Sequence, residues 1–498
     1  LQFTIEKTMI LYIIVPLAVL LLFLLAFMLV RTATFMETPP PPEPAASLAV
    51  EVRPVAEHLS EVIRVETEDR GPGEPPAPVA LTELRALLSR LYPGVHGHLQ
   101  RRVMDSGALV FVWTGSRHDL LPVLLAAHMD VVPIDPTTRD QWQYPPFSGE
   151  IAEGYLWGRG TLDDKGQVVA ILEAVENLIK TGYQPERTIY LAFGIDEEIG
   201  GEIGAGAIAA ALEAEGIQLA AVLDEGGGLV EGLTPGVKAP VATVGVAEKG
   251  YLSVHLTATG IAGHSATPAR QTAIGALGRA LARLDAAQFP ARFKAIETLY
   301  RELGSGASFG IQFVMANLWL LGGLVQRMTA DAPNLNAIIR TTIAPTIVKG
   351  GIKDNILPAQ AEAVINLRLL PGDTVESALA RLRRIIADER VTVEATEASW
   401  DPTPTSDVDT AIYRSLSTAI RQTFPGSLVA PYLVLGATDA RHYSGICTQV
   451  YRFTPYIMNK EELGRVHGVN ERIALDALAP MVQFYGHLVQ AWGAEALE

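Results

Sequence analysis

Three short apolar runs that each finish in ionisable side chains constrain this chain more than any other feature. Pro122 to Ala127 leads into His128-Met129-Asp130, Arg187 to Ile195 into Asp196-Glu197-Glu198, and Leu219 to Leu223 into Asp224-Glu225-Gly226-Gly227. Runs of this length read as buried strands. Between the first two, Val168, Ile171, Leu172, Val175, Leu178 and Ile179 keep the spacing of one helix face. Strand and helix patterns that alternate in this way predict an α/β sheet. In open sheets of that class ligands bind at the carboxyl edge of the strands, which is where the acids and the imidazole collect.

Taken singly, each cluster has an ordinary explanation. A His-x-Asp triplet serves a loop, Asp-Glu-Glu a solvated turn, and Asp163-Asp164 before a helix would cap it and offset its dipole. Taken together, three strands ending in carboxylates around one histidine repel one another unless a cation intervenes. Cys447 is the single cysteine, so neither an intrachain disulfide nor a site of several thiolates can form. A metal would therefore be held by His, Asp and Glu. Lys and Arg number 39 against 55 Asp and Glu, a net charge of −16, which repels phosphate backbones and argues against nucleic acid as a partner.

The mean hydropathy of +0.22 is high for a soluble enzyme, and the excess sits at the front. Met9 to Val30 contains no Asp, Glu, Lys or Arg and as a helix would reach about 33 Å, enough for a hydrocarbon core of ~30 Å. Arg31-Thr32-Ala33-Thr34 offers no clear cleavage site, so an uncleaved anchor over 1–34 is expected rather than a signal peptide. Lys7 and Arg31 flank the span almost symmetrically and barely separate the two orientations. The chain is expected to be a single-pass membrane protein with its globular body on the exocytoplasmic side. Glu37-Thr38-Pro39-Pro40-Pro41-Pro42-Glu43-Pro44 favours extended polyproline, a linker over 35–50. A second uncharged stretch, Ile311 to Val325, is interrupted by Asn317, Gly322 and Gly323 and suits a buried or surface-lying helix better than a second span.

From about residue 50 to the end the chain resembles the zinc metallopeptidases that include carboxypeptidase S, aminoacylase, glutamate carboxypeptidase and the N-fatty-acyl-amino-acid hydrolase/synthase. The resemblance rests on six ordered matches: His128-Met129-Asp130, Gly158 to Lys165, Asp196-Glu197-Glu198 with Gly200-Gly201, Leu223 to Gly227, Gly263-His264-Ser265, and His467-Gly468-Val469-Asn470-Glu471-Arg472. The anchor and the late His-Gly-x-Asn-Glu-Arg look most like the carboxypeptidase S branch. What it implies is a mostly parallel sheet with helices on both faces, in 51–247 and 394–498, interrupted over 248–393 by an inserted α+β lid that packs as a homodimer in many members. It also implies two zinc ions, His128 and Asp224 serving one, Glu198 and His467 the other, with Asp163 bridging. The donor set suits Zn²⁺, with Mn²⁺ or Co²⁺ as substitutes. Glu225, next to Asp224, is the main ambiguity in that set.

Asp130, two residues from His128 on an extended segment, faces the same way and is expected to hold the other ring nitrogen. Glu197 is expected to be the general base. By the same resemblance His264 would donate a hydrogen bond to the oxyanion. Asn355, Arg368, Gly436 and Arg441 would contact substrate, the two arginines as carboxylate clamps. The function implied is hydrolysis of the amide next to a free-carboxylate amino acid in a short peptide or N-acyl amino acid. The alternatives are a catalytically silent binding domain on a peptidase fold, which the full set of ligands and Glu197 weakens, and a single-metal hydrolase of another lineage.

Overall fold

The computed structural model describes residues 2–35, 48–71, 73–329, 332–396 and 398–494. The expected linker at 35–50 falls mainly on 36–47, outside the described residues. Among the described residues the largest sheet has ten strands. At its centre Ile189–Gly194, Val123–His128, Ala221–Asp224 and Val450–Arg452 lie side by side and parallel. Antiparallel pairings extend it, through Leu109–Trp113 on one flank and Val241–Glu248 on the other. Val123–His128 and Ile189–Gly194 are buried along their whole length, which is why they read as continuous apolar runs instead of alternating ones.

Strand order places the site. Val123–His128 is flanked by Ile189–Gly194 on one side and Ala221–Asp224 on the other, so the chain reverses its winding direction at His128. Loops leaving such a point diverge and open a crevice at the carboxyl edge. The helix Lys165–Lys180 begins under that crevice and buries Val168, Ile171, Leu172, Val175 and Leu178, the face its spacing predicts.

A second sheet of four antiparallel strands is formed by Thr342–Gly350, Gln360–Leu369, Gly250–Thr259 and Val391–Ala395. Its inner face, with Leu252, Val254, Leu256, Ile365 and Leu367, packs on the helices Ala273–Ala286 and Val375–Ile386 as a separate apolar core. One residue, Lys249, joins the central strand Val241–Glu248 to this sheet. Not everything in the insertion belongs to it. Ile296, Tyr300, Met315, Leu318, Val325 and Ile339 pack on Val241 and Ala430 of the main sheet as a third core. The second uncharged stretch forms two short helices there, Phe309–Ala316 and Leu318–Thr329, bent by 113°. At the front, Gln2–Phe35 is one helix, and Ile14–Phe35 is apolar and long enough to cross a membrane with 6% of it buried against the body.

Candidate metal centre and substrate cleft

His128 is the last residue of its strand and is 1% exposed. Its Nδ1 lies 3.0 Å from the Asp130 carbonyl oxygen and 3.3 Å from Asp130 Oδ1, which turns Nε2 outward. There Nε2 meets Asp163 Oδ1 at 2.9 Å and Glu225 Oε1 at 3.2 Å. Asp130 does a second job, because its Oδ2 accepts the Glu198 backbone N–H at 3.1 Å. One buried carboxylate thus orients members of two clusters.

Asp163 comes from the loop Gly158 to Asp164, whose Asp163–Asp164 peptide is cis. Glu471 organises this loop from the far end of the chain: its Oε1 accepts N–H groups of Gly160 at 3.0 Å, Leu162 at 2.9 Å and Asp163 at 3.3 Å. The other face of Asp163 is met by His467, whose Nε2 is 3.0 Å from Asp163 Oδ2 and 3.1 Å from Glu198 Oε2. His467 holds a left-handed backbone, φ 58°, a strained state for a non-glycine residue that recurs at functional sites. Asn470 fixes the loop by accepting the Gln143 N–H at 2.6 Å and donating to the Gln141 carbonyl at 3.3 Å.

Electrostatics confirm how unbalanced this cluster is without added positive charge. Hydrogen bonds to Asp163 and Glu198 push His467 up to about 10. Against the penalty of burial, the charges of Glu225 and Asp130 hold His128 well above its ordinary value. Burial, then Asp163, pushes Glu225 up to about 8, and burial, then Glu225, raises Glu197 well above the carboxylate range. Glu198 Oε1 and Asp164 Oδ1 are buried without hydrogen-bond partners. Two imidazoles cannot neutralise so many carboxylates, and three groups, His128 with Asp163 and Glu225, Asp163 with Glu198 and His467, and His128 with Glu197 and Glu198, each gather their ligand atoms within 4.8 Å. The residues fit a hydrolytic metal site in type and arrangement.

Asp224 joins none of these groups, whereas Glu225 joins the one with His128 and Asp163. Successive residues leave a strand on opposite faces, so the step from Asp224 to Glu225 reverses direction, and Asp224 sits 1% exposed with its carboxyl pushed up to about 6, first by burial. Beneath it lies the buried pair Arg452 and Glu248, 2.6 Å apart, with Thr438 donating to the same Glu248 oxygen at 2.6 Å.

A cavity of about 1250 Å³ opens beside Glu197, Glu198 and His467. Arg368, Gly436 and Arg441 line it, and so do Tyr251, Trp400 and His442. Tyr251 and Trp400 stack with centroids 4.9 Å apart. Arg368 covers the outer face of one at 4.8 Å and Arg441 covers Trp400 at 4.0 Å. Arg441 also donates to the Gly200 carbonyl, and His442 Nε2 lies 3.0 Å from the same oxygen. Two guanidinium groups are therefore held rigidly at one wall. His264 and Asn355 are elsewhere: both are exposed on a two-strand finger of the lid, where Ser265 donates to the Asn355 carbonyl at 3.2 Å. Nor does the stretch Ile311 to Val325 line this cavity.

Sequence reasoning assigned no role to Glu471, Arg159, Tyr251 or Trp400. A signal existed for the first two, an acid and an arginine standing inside two of the six matched motifs. The aromatic pair comes from segments 149 residues apart and carries no local signature.

A parallel-centred sheet with carboxylates and imidazoles clustered at its switch point, beside a cavity that Tyr251 and Arg368 of the four-stranded sheet help to line, defines a metal-dependent hydrolase. The chain belongs to peptidase family M20/M25/M40, whose family model matches residues 124–491. It is 39% identical over 480 residues to the N-fatty-acyl-amino acid synthase/hydrolase PM20D1 of Xenopus tropicalis, covering 94% of this chain and 93% of that one. It is 38% identical over 401 residues to the probable carboxypeptidase S-like 2 of Dictyostelium discoideum, covering 80% and 77%. Among solved structures it resembles the M20 family metallo-carboxypeptidase Sso-CP2 of Sulfolobus solfataricus, with a TM-score of 0.64, 16% identity and coverage of 88% and 99%. It also resembles human carnosine dipeptidase 1, with a TM-score of 0.60, 15% identity and coverage of 91% and 100%.

Proposed function

We propose that this protein hydrolyses the amide bond next to a free-carboxylate amino acid, in N-acyl amino acids or short peptides, using two zinc ions. The observation that carries the reading is the Asp163 carboxylate, with one oxygen 2.9 Å from His128 and the other 3.0 Å from His467, the placement a bridging ligand needs. His128 and Glu225 complete one site, Glu198 and His467 the other; Glu225 takes the place expected for Asp224. Two zinc ions held there would supply the positive charge that favours ionisation of water and polarisation of the scissile carbonyl. Glu197, between the clusters and the cavity, accepts the proton from water and returns it to the departing nitrogen. Arg368 and Arg441 receive the substrate carboxylate.

His264 and Asn355 serve this site in the proposed homodimer. Among the described residues the lid's outer strand Thr342–Gly350 leaves one edge unpaired, with Ile347 and Val348 exposed, and edge-to-edge pairing of two such strands closes it. The catalytic body is formed by 51–247 and 394–498 and the lid by 248–393, whose segment from Ile296 to Ile339 packs on the body's sheet, and Ile14–Phe35 tethers them to a membrane with the body exocytoplasmic.

The test is metal analysis of the purified full chain together with hydrolysis of dipeptides and of N-acyl amino acids of graded acyl length. About two zinc ions per chain and turnover that stops with chelator and returns with Zn²⁺ are expected. Undiminished turnover by metal-free protein would overturn the proposal.

A further inference from the structure

The last turns of the N-terminal helix do not stand free. Asn317, at the bend between Phe309–Ala316 and Leu318–Thr329, donates to the Met28 carbonyl and to Thr32 Oγ1, each at 3.3 Å. Arg31 Nε donates to the Ala316 carbonyl at 3.1 Å, and the Phe27 and Trp319 rings meet edge to face at 6.1 Å. The bend is thereby pinned to the helix end.

The second of these helices is apolar on both sides. Leu318, Gly322, Val325 and Thr329 face inward and are buried, whereas Leu320, Leu324 and Met328, spaced by four residues, form an outward stripe. With Trp319 and Phe309 these side chains are 46% to 72% exposed. A charge-free run from Leu303 to Gln326 that presents such a face to water is costly. Its position says what covers it. Phe27 lies four residues inside Arg31, about 6 Å along the helix axis, so Trp319 sits at that depth, inside the ~5–10 Å to which interfacial helices sink. Trp belongs at that level. A water-soluble partner cannot reach a face that begins below the membrane boundary.

We infer that the bent helix pair Phe309–Thr329 is a second membrane contact, lying in the interface of the bilayer that the N-terminal helix crosses, with Leu320, Leu324 and Met328 among the acyl chains. The inference rests on reading Ile14–Phe35 as a span, and the experiment keeps the two apart. Cys447 is buried and its thiol is raised to about 11, first by burial, so Cys447→Ser gives a background for single labels. The full chain is labelled with a nitrobenzoxadiazole probe at Leu324→Cys or Met328→Cys, at Leu21→Cys in the anchor, or at Ile352→Cys, 91% exposed on the lid, and placed in phosphatidylcholine vesicles containing doxyl-labelled lipid.

Quenching at 324 and 328 at least about twofold above that at 352, stronger with shallow than with deep doxyl groups, is expected for an interfacial helix. Probes at 324 and 328 quenched no more than the one at 352 would overturn the inference, whatever position 21 reports. Emission from 324 that is unquenched by doxyl lipid but shifts with protein concentration would also overturn it, giving the face to a second copy. Failure of quenching at position 21 alone would remove the span and leave the second contact standing.

Discussion

Arg159 Nη1 and Glu471 Oε2 lie 2.5 Å apart in the interior, Glu471 fully buried, joining the loop that carries Asp163 to the one that carries His467. Glu471→Ala removes one partner of a buried pair and should cost about 3–5 kcal/mol of stability in denaturant titration. Glu471→Gln, which keeps the shape, should still weaken metal retention by ~10–100-fold, as loss of a supporting partner does. Unchanged metal retention in Glu471→Gln would show that the loop geometry does not need the charge.

Glu225→Gln and Asp224→Asn separate the two candidates for the ligand beside His128. The first is expected to lose about one of two ions in metal analysis, since His128 and the shared Asp163 alone leave that ion under-coordinated. The second should keep both, its carboxyl being buried among Arg452 and Glu248. The reverse pattern would return the ligand to Asp224.

Glu197→Gln should bind both ions and substrate normally while kcat falls by ~10²–10⁴, the range for loss of a general acid–base group. Rapid turnover in this variant would remove Glu197 from proton transfer.

For Arg441→Lys, KM for a free-carboxylate substrate should rise by about 10-fold or more, because a charged hydrogen bond contributes ~1.5–3 kcal/mol and an ammonium does not reproduce the planar fork. The same change should leave an amidated substrate, already poor, unaffected. Equal losses on both would mean that Arg441 only packs against Trp400.

Lys249 lies at the hinge into the lid and donates to the carbonyls of Ala337 at 3.0 Å and Arg340 at 2.9 Å. Burial pushes its ammonium down to about 7, from 10.5 for a free side chain. Between those values the unfolded chain holds a proton that the folded chain lacks, so this group makes stability rise with pH, by at most ~1.4 kcal/mol per pH unit. Lys249→Met should flatten the rise between about pH 7.5 and 9.5, read from melting temperatures, relative to the unmutated chain.

The local pattern of the sequence determined the strands at 123–128, 189–194 and 221–224, the helix after Lys165 and the apolar front, because each depends on hydrophobic periodicity over a few residues. Clusters where strands end also put His128, Glu197 and Glu198 forward, and the family resemblance added Asp163 and His467. Tertiary structure decided what depends on direction and distance. That Glu225, not Asp224, lies beside His128 Nε2 follows from which face of a strand end turns toward it, a one-residue matter that apolar runs cannot register. The Glu471 and Arg159 pair, the stacked Tyr251 and Trp400, and the seat of the Phe309–Thr329 helices against Met28 and Thr32 join segments far apart in the chain. Nothing in the local sequence encodes those meetings; they arise only when the sheet order and the inserted lid have fixed which surfaces face each other.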